Sequence, residues 1–298
     1  MILSSVKEFL GRNRDNVPLS MNRRNLELVF PRNPRQYFPV ANDKRLSKQV
    51  LGDNRVPVAP TLAVFSSFRD VAALDEKLAG LNAFVIKPAR GSGGRGILVI
   101  TGRDGAGFRT ASGRYISRDV LVRHIGDIVF GVYAHDKPDV AIVEARLIPD
   151  PFFASLYADG LSDVRLILAD DRLALCMLRV PTRGSDGRAN LHQGAIGIGV
   201  DADTGTTFRA WQHKRVITTH PENGAELIGI TVPSWRRIVR IAKRAARTLP
   251  LKFLGVDMVV DAEQGPLVLE VNARPGIEIQ NVNGISLLER FRAQGVLP

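Results

Sequence analysis

The sequence predicts an α+β protein built from two lobes. It has 298 residues, of which 45% are hydrophobic and 24% are charged. Helix-like and strand-like segments alternate from residue 43 onward, and a strand that ends in lysine runs into a glycine-rich turn. The length is sufficient for one large core or for two or three smaller ones. The composition is that of a folded chain rather than a disordered one.

The predicted organisation has three parts. Residues 1–42 are expected to form a short basic arm with at most one short helix, because proline and asparagine interrupt the pattern. Residues 43–140 are expected to form a small lobe, in which helical stretches precede the strand AFVIK and a later helix near 117–131. Residues 141–298 are expected to form a large lobe with several strand pairs.

The long helix of the large lobe, SWRRIVRIAKRAARTL, is strongly amphipathic. Ser234 is a residue type that caps helices. Ile238, Ile241, Ala242 and Ala245 recur at the spacing of a buried face. The opposite face is basic, and either a solvated surface or the docking of an acidic partner accounts for it.

The charge balance points to a negatively charged partner. The chain has 41 lysines and arginines against 30 aspartates and glutamates, a net charge of +11. A nucleotide, a nucleic acid, an acidic peptide and an anionic membrane surface are all compatible with that charge, and so is a bias of the genome towards arginine. Aromatic residues make up only 6% and do not interleave with the basic runs. Base stacking is therefore disfavoured, and no nucleic-acid partner is expected.

Several classes of protein and site are excluded. No apolar run reaches the roughly 18 residues of a membrane-spanning helix. Charges interrupt the N-terminus before a signal-peptide core develops, so a cytoplasmic location is expected. The single cysteine, Cys176, allows neither an internal disulfide nor a thiolate zinc site, and its apolar surroundings predict a buried thiol.

A glycine-rich turn, KPARGSGGRG, occupies residues 87–96. Glycines let backbone N–H groups approach anionic oxygens, and the lysine adds a positive charge, so the turn is suited to phosphates. The strand ILVI follows, whereas a dinucleotide-binding turn requires a helix. The Walker sequence and the kinase motifs HRD and DFG are missing. An ordinary hairpin loop is the alternative.

A predicted hairpin near the C-terminus carries two acidic residues. It joins residues 254–261 to residues 266–272 through the turn AEQG. Counting outward from the turn places Asp257 opposite Glu270, and strand alternation adds Asn272 to that face. The count also places on that face Val259 and Val268, and on the other face Met258, Val260, Leu267, Leu269 and Val271.

Two facing carboxylates repel each other unless a cation lies between them. The set of two carboxylates and one amide oxygen is typical of magnesium. The scarcity of nearby histidine and cysteine argues against zinc. The alternative is that one acid is protonated or paired with an arginine.

Polar residues also interrupt apolar strands. Arg165 lies in DVRLIL and Arg179 in CMLRVP, while Asn190 and His192 lie in RANLHQG. Arginines on neighbouring strands can stabilise a transferring phosphoryl group or bind a carboxylate. A surface position explains each of them singly, and His192 fits a structural histidine as well as a base.

The order of these motifs resembles the ATP-grasp superfamily. The segments FVIKPARGSGGRG, IVEARLI, DVRLIL, ANLHQGA, GVDMVVD and LEVNARPG follow one another along nearly the whole chain. Within the superfamily the chain is similar to alpha-L-glutamate ligase-like proteins, relatives of the enzymes that add glutamate to a ribosomal protein. The resemblance implies an ATP-grasp fold, with two α+β lobes clamping ATP and a short basic arm in place of a full domain before the small lobe.

The resemblance also implies a role for each matching position. The implied nucleotide contacts are Lys44, Lys87, Arg90, Gly91, Ser92, Gly93, Gly94 and Glu144, the last of which would hold adenine or ribose. The implied metal ligands are Asp257, Glu270 and Asn272. The implied reaction-centre residues are Arg165, Arg179, Asn190, His192 and Arg274, whose arginines would stabilise phosphate or the acyl phosphate.

Two features depart from the pattern of the superfamily. Only the basic arm precedes the small lobe, where these ligases usually have an α/β domain that contributes to the acceptor site. The glycine- and arginine-rich segment 101–117 is an insertion-like loop, suited either to a mobile lid over an anionic ligand or to a disordered surface loop. The acceptor is therefore the least transferable part of the resemblance.

The implied activity is that of an ATP-dependent carboxylate–amine ligase working through an acyl phosphate. ATP and two magnesium ions would be required, with manganese as an alternative metal. The expected partners are glutamate or another amino acid and an acidic peptide or protein acceptor. A phosphotransferase of the same fold, a non-catalytic nucleotide-binding scaffold and a basic nucleic-acid binder are the alternatives.

Overall fold

The computed structural model describes residues 18–91 and 93–297. They form two compact units. The small unit comprises Asn42–Gln49 and Val58–Ile148, and the large unit comprises residues 18–41, Val50–Pro57 and residues 149–297. None of the helices in these two ranges is long and apolar enough to cross a bilayer.

The small unit contains a six-stranded antiparallel sheet in the order β1-β6-β2-β3-β4-β5. Its strands are β1 (Thr61–Phe65), β2 (Phe84–Pro88), β3 (Leu98–Asp104), β4 (Gly107–Thr110), β5 (Tyr115–Ile116) and β6 (Ala141–Ala145). The helices that begin in this unit are Lys44–Asp53, Phe68–Ala72, Leu74–Lys77 and Arg118–Val129.

Alternation along β2 separates the core of the small unit from its polar face. Phe84 and Ile86 are fully buried in a cluster with Leu121 and Ile125 of helix Arg118–Val129. Lys87 lies on the opposite face of the strand. Lys87, which begins the glycine-rich turn, therefore lies on the sheet face away from the core.

The boundary between the units differs from the predicted one. Strand β6 pairs with both β1 and β2, so it belongs to the small unit rather than to the large lobe. The division therefore falls between residues 148 and 149 instead of 140 and 141. The apolar run that contains β6 is typical of a central strand in either lobe. Only its hydrogen-bonding partners decide which lobe it belongs to.

The segment 101–117 is not a disordered surface loop, so that expectation is wrong, whereas its role as a mobile lid stays a prediction. Most of it forms the end of β3 together with β4 and β5, which continue the sheet to one edge. Phe108 and Ile116 are buried in the core of the small unit. The guanidinium of Arg103 lies 5.2 Å from the ring centre of Phe108. These apolar residues pack the segment against the core, whereas its high glycine content had suggested a loop.

The large unit contains a seven-stranded antiparallel sheet in the order β11-β10-β9-β8-β7-β12-β13. Its strands are β7 (Asp163–Ala169), β8 (Arg172–Val180), β9 (Ile196–Val200), β10 (Thr207–Gln212), β11 (Arg215–Ile217), β12 (Phe253–Asp261) and β13 (Gly265–Asn272). Its helices are Met21–Arg24, Asn25–Val29 (π), Phe30–Arg32, Arg35–Tyr37 (3-10), Phe38–Asn42, Pro151–Leu156, Leu191–Gln193 (3-10), Trp235–Thr248, Ile279–Asn283 and Leu287–Ala293.

The N-terminal segment is more ordered than an arm. From residue 21 to residue 42 it is almost continuously helical, so the expectation of at most one short helix is wrong for the described part, and residues 1–17 lie outside the description. Leu28 and Val29 are fully buried. The Asn33 amide donates to the carbonyls of Phe253 and Ala273 at 2.7 and 2.8 Å. The segment is thus integrated into the large unit.

The amphipathic helix occurs as predicted, with one exception at its start. It spans Trp235–Thr248 and buries Ile238, Ile241 and Ala242. Ser234 precedes it in a left-handed conformation, with φ of 57°, and makes no side-chain cap hydrogen bond. The predicted cap is therefore wrong, since a residue in that conformation does not present its hydroxyl as a capping serine does. Cys176 is buried in β8, as expected.

The hairpin β12–β13 confirms the predicted pairing of Asp257 with Glu270, but by a different route. The turn is shorter than the count assumed, because Asp261 pairs with Gly265. A β-bulge at Leu269 adds one residue to β13 and returns Asp257 and Glu270 to opposite positions.

Between that bulge and the turn, the predicted faces of β13 are wrong. Met258 pairs with Val268, and Val259 pairs with Leu267. Val268 therefore lies on the face away from Asp257, and Leu267 lies on the same face as Asp257. A shift of one residue exchanges the two faces of a strand, which is why the bulge inverts only this inner part of the hairpin.

Candidate functional site

Three buried residues of the small unit form a lysine cluster: Lys48, Lys87 and Glu144. The Lys87 Nζ lies 2.8 Å from one carboxylate oxygen of Glu144, and Lys48 forms an ion pair with the other oxygen. Each of the three residues is at most 7% exposed. Glu144 pairs with Val85, two residues before Lys87, so strand alternation brings Glu144 and Lys87 to one sheet face.

The lysine cluster carries more positive than negative charge. Burial, and then the nearby charge of Lys87, lowers the pKa of Lys48 to about 8, although Glu144 opposes the shift. Two lysines share one carboxylate, so an anion would relieve their repulsion. In this arrangement Glu144 is the counter-ion of the lysines, and its contact with adenine or ribose stays a prediction.

The glycine-rich turn is linked to Lys44. The Lys44 Nζ donates to the Gly91 carbonyl at 2.6 Å, and its backbone N–H donates to the Ala89 carbonyl at 2.9 Å. The Arg90 N–H donates to the Asp139 carboxylate at 3.0 Å. The structure therefore brings Lys44 and the turn together, their contacts with a nucleotide stay predictions, and Ser92 lies outside the described residues.

The turn requires glycine at several positions. Gly93, Gly94 and Gly96 have φ of 66°, 75° and 75°, in the left-handed region. A Cβ on Gly96 would also approach the ring of Tyr133 to 2.7 Å. The glycines are thus needed for the shape of the turn, whatever it binds.

The large unit contains an arginine–carboxylate cluster: Asp163, Arg165, Arg179, Asp257 and Glu270. Arg165 and Glu270 lie directly opposite Asp257 on its two neighbouring strands, and Arg179 lies opposite Asp163. Arg165 Nε donates to Asp257 Oδ1 at 2.7 Å, and Arg179 Nη2 donates to Asp257 Oδ2 at 2.9 Å. Arg179 also forms two hydrogen bonds with Asp163.

The arginines keep Asp257 ionised although it is fully buried. Burial alone raises the pKa of a carboxyl, but the charges of Arg165 and Arg179 outweigh it and hold the pKa of Asp257 well below its usual range. Burial raises the pKa of Asp163 to about 6, with Arg179 opposing the shift. The two arginines predicted for the reaction centre are therefore in direct contact with a predicted metal ligand.

The donors of this cluster fit magnesium. A carboxylate offers about four acceptor positions, and three arginine hydrogen bonds occupy three of those on Asp257. Glu270 lies opposite Asp257 on the neighbouring strand, and Asn272 Nδ2 donates to Glu270 Oε1 at 3.3 Å. Within the described residues no three histidine, cysteine or acidic side chains make up a metal site by themselves. The predicted donor set adds the amide oxygen of Asn272 to the two carboxylates, and its binding of magnesium stays a prediction.

The other predicted reaction-centre residues are used differently. The Asn190 side chain accepts from the His192 N–H at 3.0 Å and so caps the short helix Leu191–Gln193, where His192 is exposed. Arg274 is exposed, and its guanidinium lies 4.7 Å from the ring centre of Phe38. A direct role for these residues in the reaction stays a prediction.

Two residues of the clusters were not predicted from the sequence, although each had a signal. Lys48 lies one turn after Lys44 on the same helix, so the two share a helix face. Asp163 precedes Arg165 by two residues in β7, which places both on one sheet face. Neither spacing is specific enough to identify a site without its partners.

Comparisons with known proteins agree with this geometry. A family model described as sugar-transfer associated ATP-grasp matches residues 23–295. The chain is 26% identical over 263 residues to a ribosomal protein bS6–L-glutamate ligase of Escherichia coli O81 (strain ED1a), covering 88% of this chain and 66% of that protein. It is 27% identical over 263 residues to a probable alpha-L-glutamate ligase of Citrobacter koseri, with the same coverage. The chain thus spans slightly less than two thirds of the length of these relatives.

The fold is shared with a solved ATP-grasp structure. D-alanyl-alanine synthetase A from Vibrio cholerae O1 biovar eltor superposes with a TM-score of 0.51 at 14% identity, covering 86% of this chain and 64% of that chain. The predicted α+β class and the resemblance to the ATP-grasp superfamily are confirmed. The matching family is defined by association with sugar transfer, which the motifs alone did not indicate. The chain belongs to the sugar-transfer associated ATP-grasp family.

Proposed function

We propose that this chain is an ATP- and magnesium-dependent carboxylate–amine ligase, which forms an amide bond through an acyl phosphate. The observation that carries the proposal is the ionised, fully buried Asp257, which faces Glu270 and is held by two arginines. Burial of an ionised carboxylate costs desolvation free energy, so a charge in this position indicates a functional role.

The two clusters suit different parts of ATP. The lysine cluster and the glycine-rich turn offer positive charge and backbone N–H groups, which bind phosphates. Glu270, Asn272 and the remaining acceptor position of Asp257 offer oxygens for magnesium, and bound magnesium would neutralise phosphate charge. Arg165 and Arg179 would stabilise the charge that develops on the transferring phosphoryl group.

The reaction needs no nucleophile from the protein. An oxygen of the substrate carboxylate forms a bond to the γ-phosphorus of ATP, and the bond from that phosphorus to the β-phosphate oxygen breaks, which releases ADP. The amine nitrogen then attacks the acyl carbon. Inorganic phosphate leaves with the electron pair of the carbon–oxygen bond, and the nitrogen loses a proton. The chain contributes by orienting the reactants and stabilising charge.

The relatives guide the choice of substrates. Both relatives reported above are named as glutamate ligases. Glutamate or another amino acid is therefore the first candidate for one substrate. The net charge of +11 favours an acidic peptide or protein as the other.

The test is ATP turnover with magnesium across amino acids and acidic peptides, with phosphate release and product mass followed together. Asp257→Asn and Glu270→Gln are the test variants. Glu263→Gln is the matched control, because Glu263 is an exposed acid in the turn of the same hairpin. We expect ADP, phosphate and a product heavier by one amino-acid residue, with both test variants inactive and the control active.

Other outcomes would assign the chain elsewhere. A phosphorylated product without an amide bond would identify a phosphotransferase. Nucleotide binding without turnover on any substrate would favour a non-catalytic scaffold. Full activity in Asp257→Asn would contradict the role of the arginine–carboxylate cluster.

A further inference from the structure

A cavity of about 350 Å³ lies in the large unit and has no part in the functions assigned above, apart from Arg274. Its lining comprises Asn25, Phe30, Arg35, Phe38 and Arg274. Four of these residues come from the N-terminal segment, beginning at the π-helical turn Asn25–Val29. Turns of that type are frequent at functional sites, because they change the direction of side chains.

The polar side chains of this cavity are hydrogen-bond donors. The Asn25 Oδ1 accepts from Arg24 Nε at 3.2 Å and from Arg24 Nη2 at 2.8 Å. This fixes the orientation of the Asn25 amide and leaves its Nδ2 donor for the cavity. Arg35 and Arg274 have donors only. A ligand that satisfies all three must offer acceptors.

Positive charge also accumulates in and beside the cavity. Arg24, which precedes the lining residue Asn25, is 3% exposed and donates to the Pro275 and Arg274 carbonyls at 2.8 and 3.3 Å. Burial, and then the charge of Arg274, lowers the pKa of Arg24. Among the described residues, no carboxylate forms an ion pair with Arg24, Arg35 or Arg274.

The aromatic residues hold two of these guanidinium groups and add an apolar wall. The Arg274 Cζ lies 4.7 Å from the ring centre of Phe38, and the Arg35 Cζ lies 5.7 Å from that of Phe30. Stacking on a ring leaves the N–H edges of a guanidinium free for a bidentate anion. Phe30 is 48% exposed, so it can contact the carbon atoms of a ligand.

We propose that this cavity binds the free α-carboxylate of an amino-acid substrate, an inference that rests on the proposed ligase function. Arg274 follows Asn272 by two residues, so the cavity adjoins the end of the strand that carries the predicted metal ligands. A volume of about 350 Å³ is at the lower end of ligand pockets and suits an amino acid better than a peptide. The N-terminal segment thereby supplies part of a substrate site.

The test is equilibrium binding of L-glutamate by calorimetry, with and without magnesium and a non-hydrolysable ATP analogue. L-isoglutamine, which differs only by an amide in place of the α-carboxylate, is the matched ligand. Arg35→Gln is the test variant, and Arg240→Gln removes an exposed arginine of the basic helix as the control. We expect Arg35→Gln and the change to isoglutamine each to raise Kd about 10-fold or more, and Arg240→Gln to leave it unchanged.

The inference would be overturned if the unaltered chain did not bind L-glutamate in either condition. It would also be overturned if Arg35→Gln bound L-glutamate with the same Kd as the unaltered chain, or if the unaltered chain bound inorganic phosphate but not L-glutamate. The product assay separates this inference from the ligase proposal. If Arg35→Gln formed the amide with an unaltered KM for the amino acid, the carboxylate site would be wrong and the ligase proposal would stand. If glutamate binding depended on Arg35 but no amide product formed, the ligase proposal would be wrong and the carboxylate site would stand.

Discussion

The small and large units each hold a group of charged side chains, and the two groups differ in how their charges are paired. In the lysine cluster, two lysines share the single carboxylate of Glu144. In the arginine–carboxylate cluster, Arg165 and Arg179 share Asp257, and Arg179 also pairs with Asp163. Cations therefore outnumber their carboxylate partner in the first group, whereas each arginine of the second group has a carboxylate partner.

This difference indicates what each group is built to bind. Excess positive charge in a buried position is unfavourable unless an anion offsets it. Under the proposed function, phosphate would offset the charge of the lysine cluster, and the carboxylate oxygens of the large unit would bind magnesium.

The largest effect is expected from breaking the arginine–carboxylate cluster at its centre. Asp257→Asn leaves Arg165 and Arg179 without their shared carboxylate in a fully buried position. The free energy of unfolding should fall by about 3–5 kcal/mol, the usual effect of removing one partner of a buried ion pair. Urea unfolding of the variant and of the Glu263→Gln control measures it. A loss below about 1 kcal/mol would show that the arginines are not held by this residue.

A pH titration tests the excess charge of the lysine cluster. The pKa of Lys48 is lowered from 10.5 to about 8. Between these values the unfolded chain retains a proton that the folded chain has released, so stability rises with pH. The unfolding free energy of the unaltered chain, minus that of Lys48→Met, should increase by about 3 kcal/mol over this window.

The control for this titration is Lys252→Met, which alters an exposed lysine of the large unit. Its difference curve should be nearly flat between pH 8 and pH 10. A flat curve for Lys48→Met as well would mean that folding does not lower the pKa of Lys48. The lysine cluster would then show no effect of excess positive charge.

The smallest effect is expected from Glu270→Gln without metal. This change leaves the ion pairs of the two arginines with the two aspartates intact, and Glu270 is only half-buried. The free energy of unfolding should change by less than about 1 kcal/mol, as for partly exposed charges. Urea unfolding in the presence of a chelator measures it. A loss above about 2 kcal/mol would make Glu270 a structural counter-ion instead.

Local sequence patterns were sufficient for much of the fold. Alternation and helical spacing predicted β2, the helix Arg118–Val129 and the amphipathic helix Trp235–Thr248. They failed where partners decide. Strand β6 was assigned to the other lobe, and segment 101–117 was not recognised as part of a sheet, because hydrogen-bonding partners leave no local signal.

The candidate site shows the same division. The facing pair Asp257 and Glu270 followed from the sequence, although a shorter turn and a bulge together produce the pairing that the count derived from a longer turn. The pairing of Asp257 with arginine was one of the alternatives for that residue, and the structure contains it. The resemblance supplied the predicted roles of Lys87 and Lys44, which stay predictions, but not the ion pairs of Lys48 and Glu144.

The sequence by itself determined the fold class, the superfamily resemblance and the residue types of both charged groups. Only the tertiary structure decided which charges share a partner and which do not. Residue types and strand alternation are local, and the chain carries them wherever it folds. The balance of charge in a cluster depends on side chains far apart along the chain, such as Arg165 and Asp257, which are separated by 92 residues, and their distances exist only after the strands have paired.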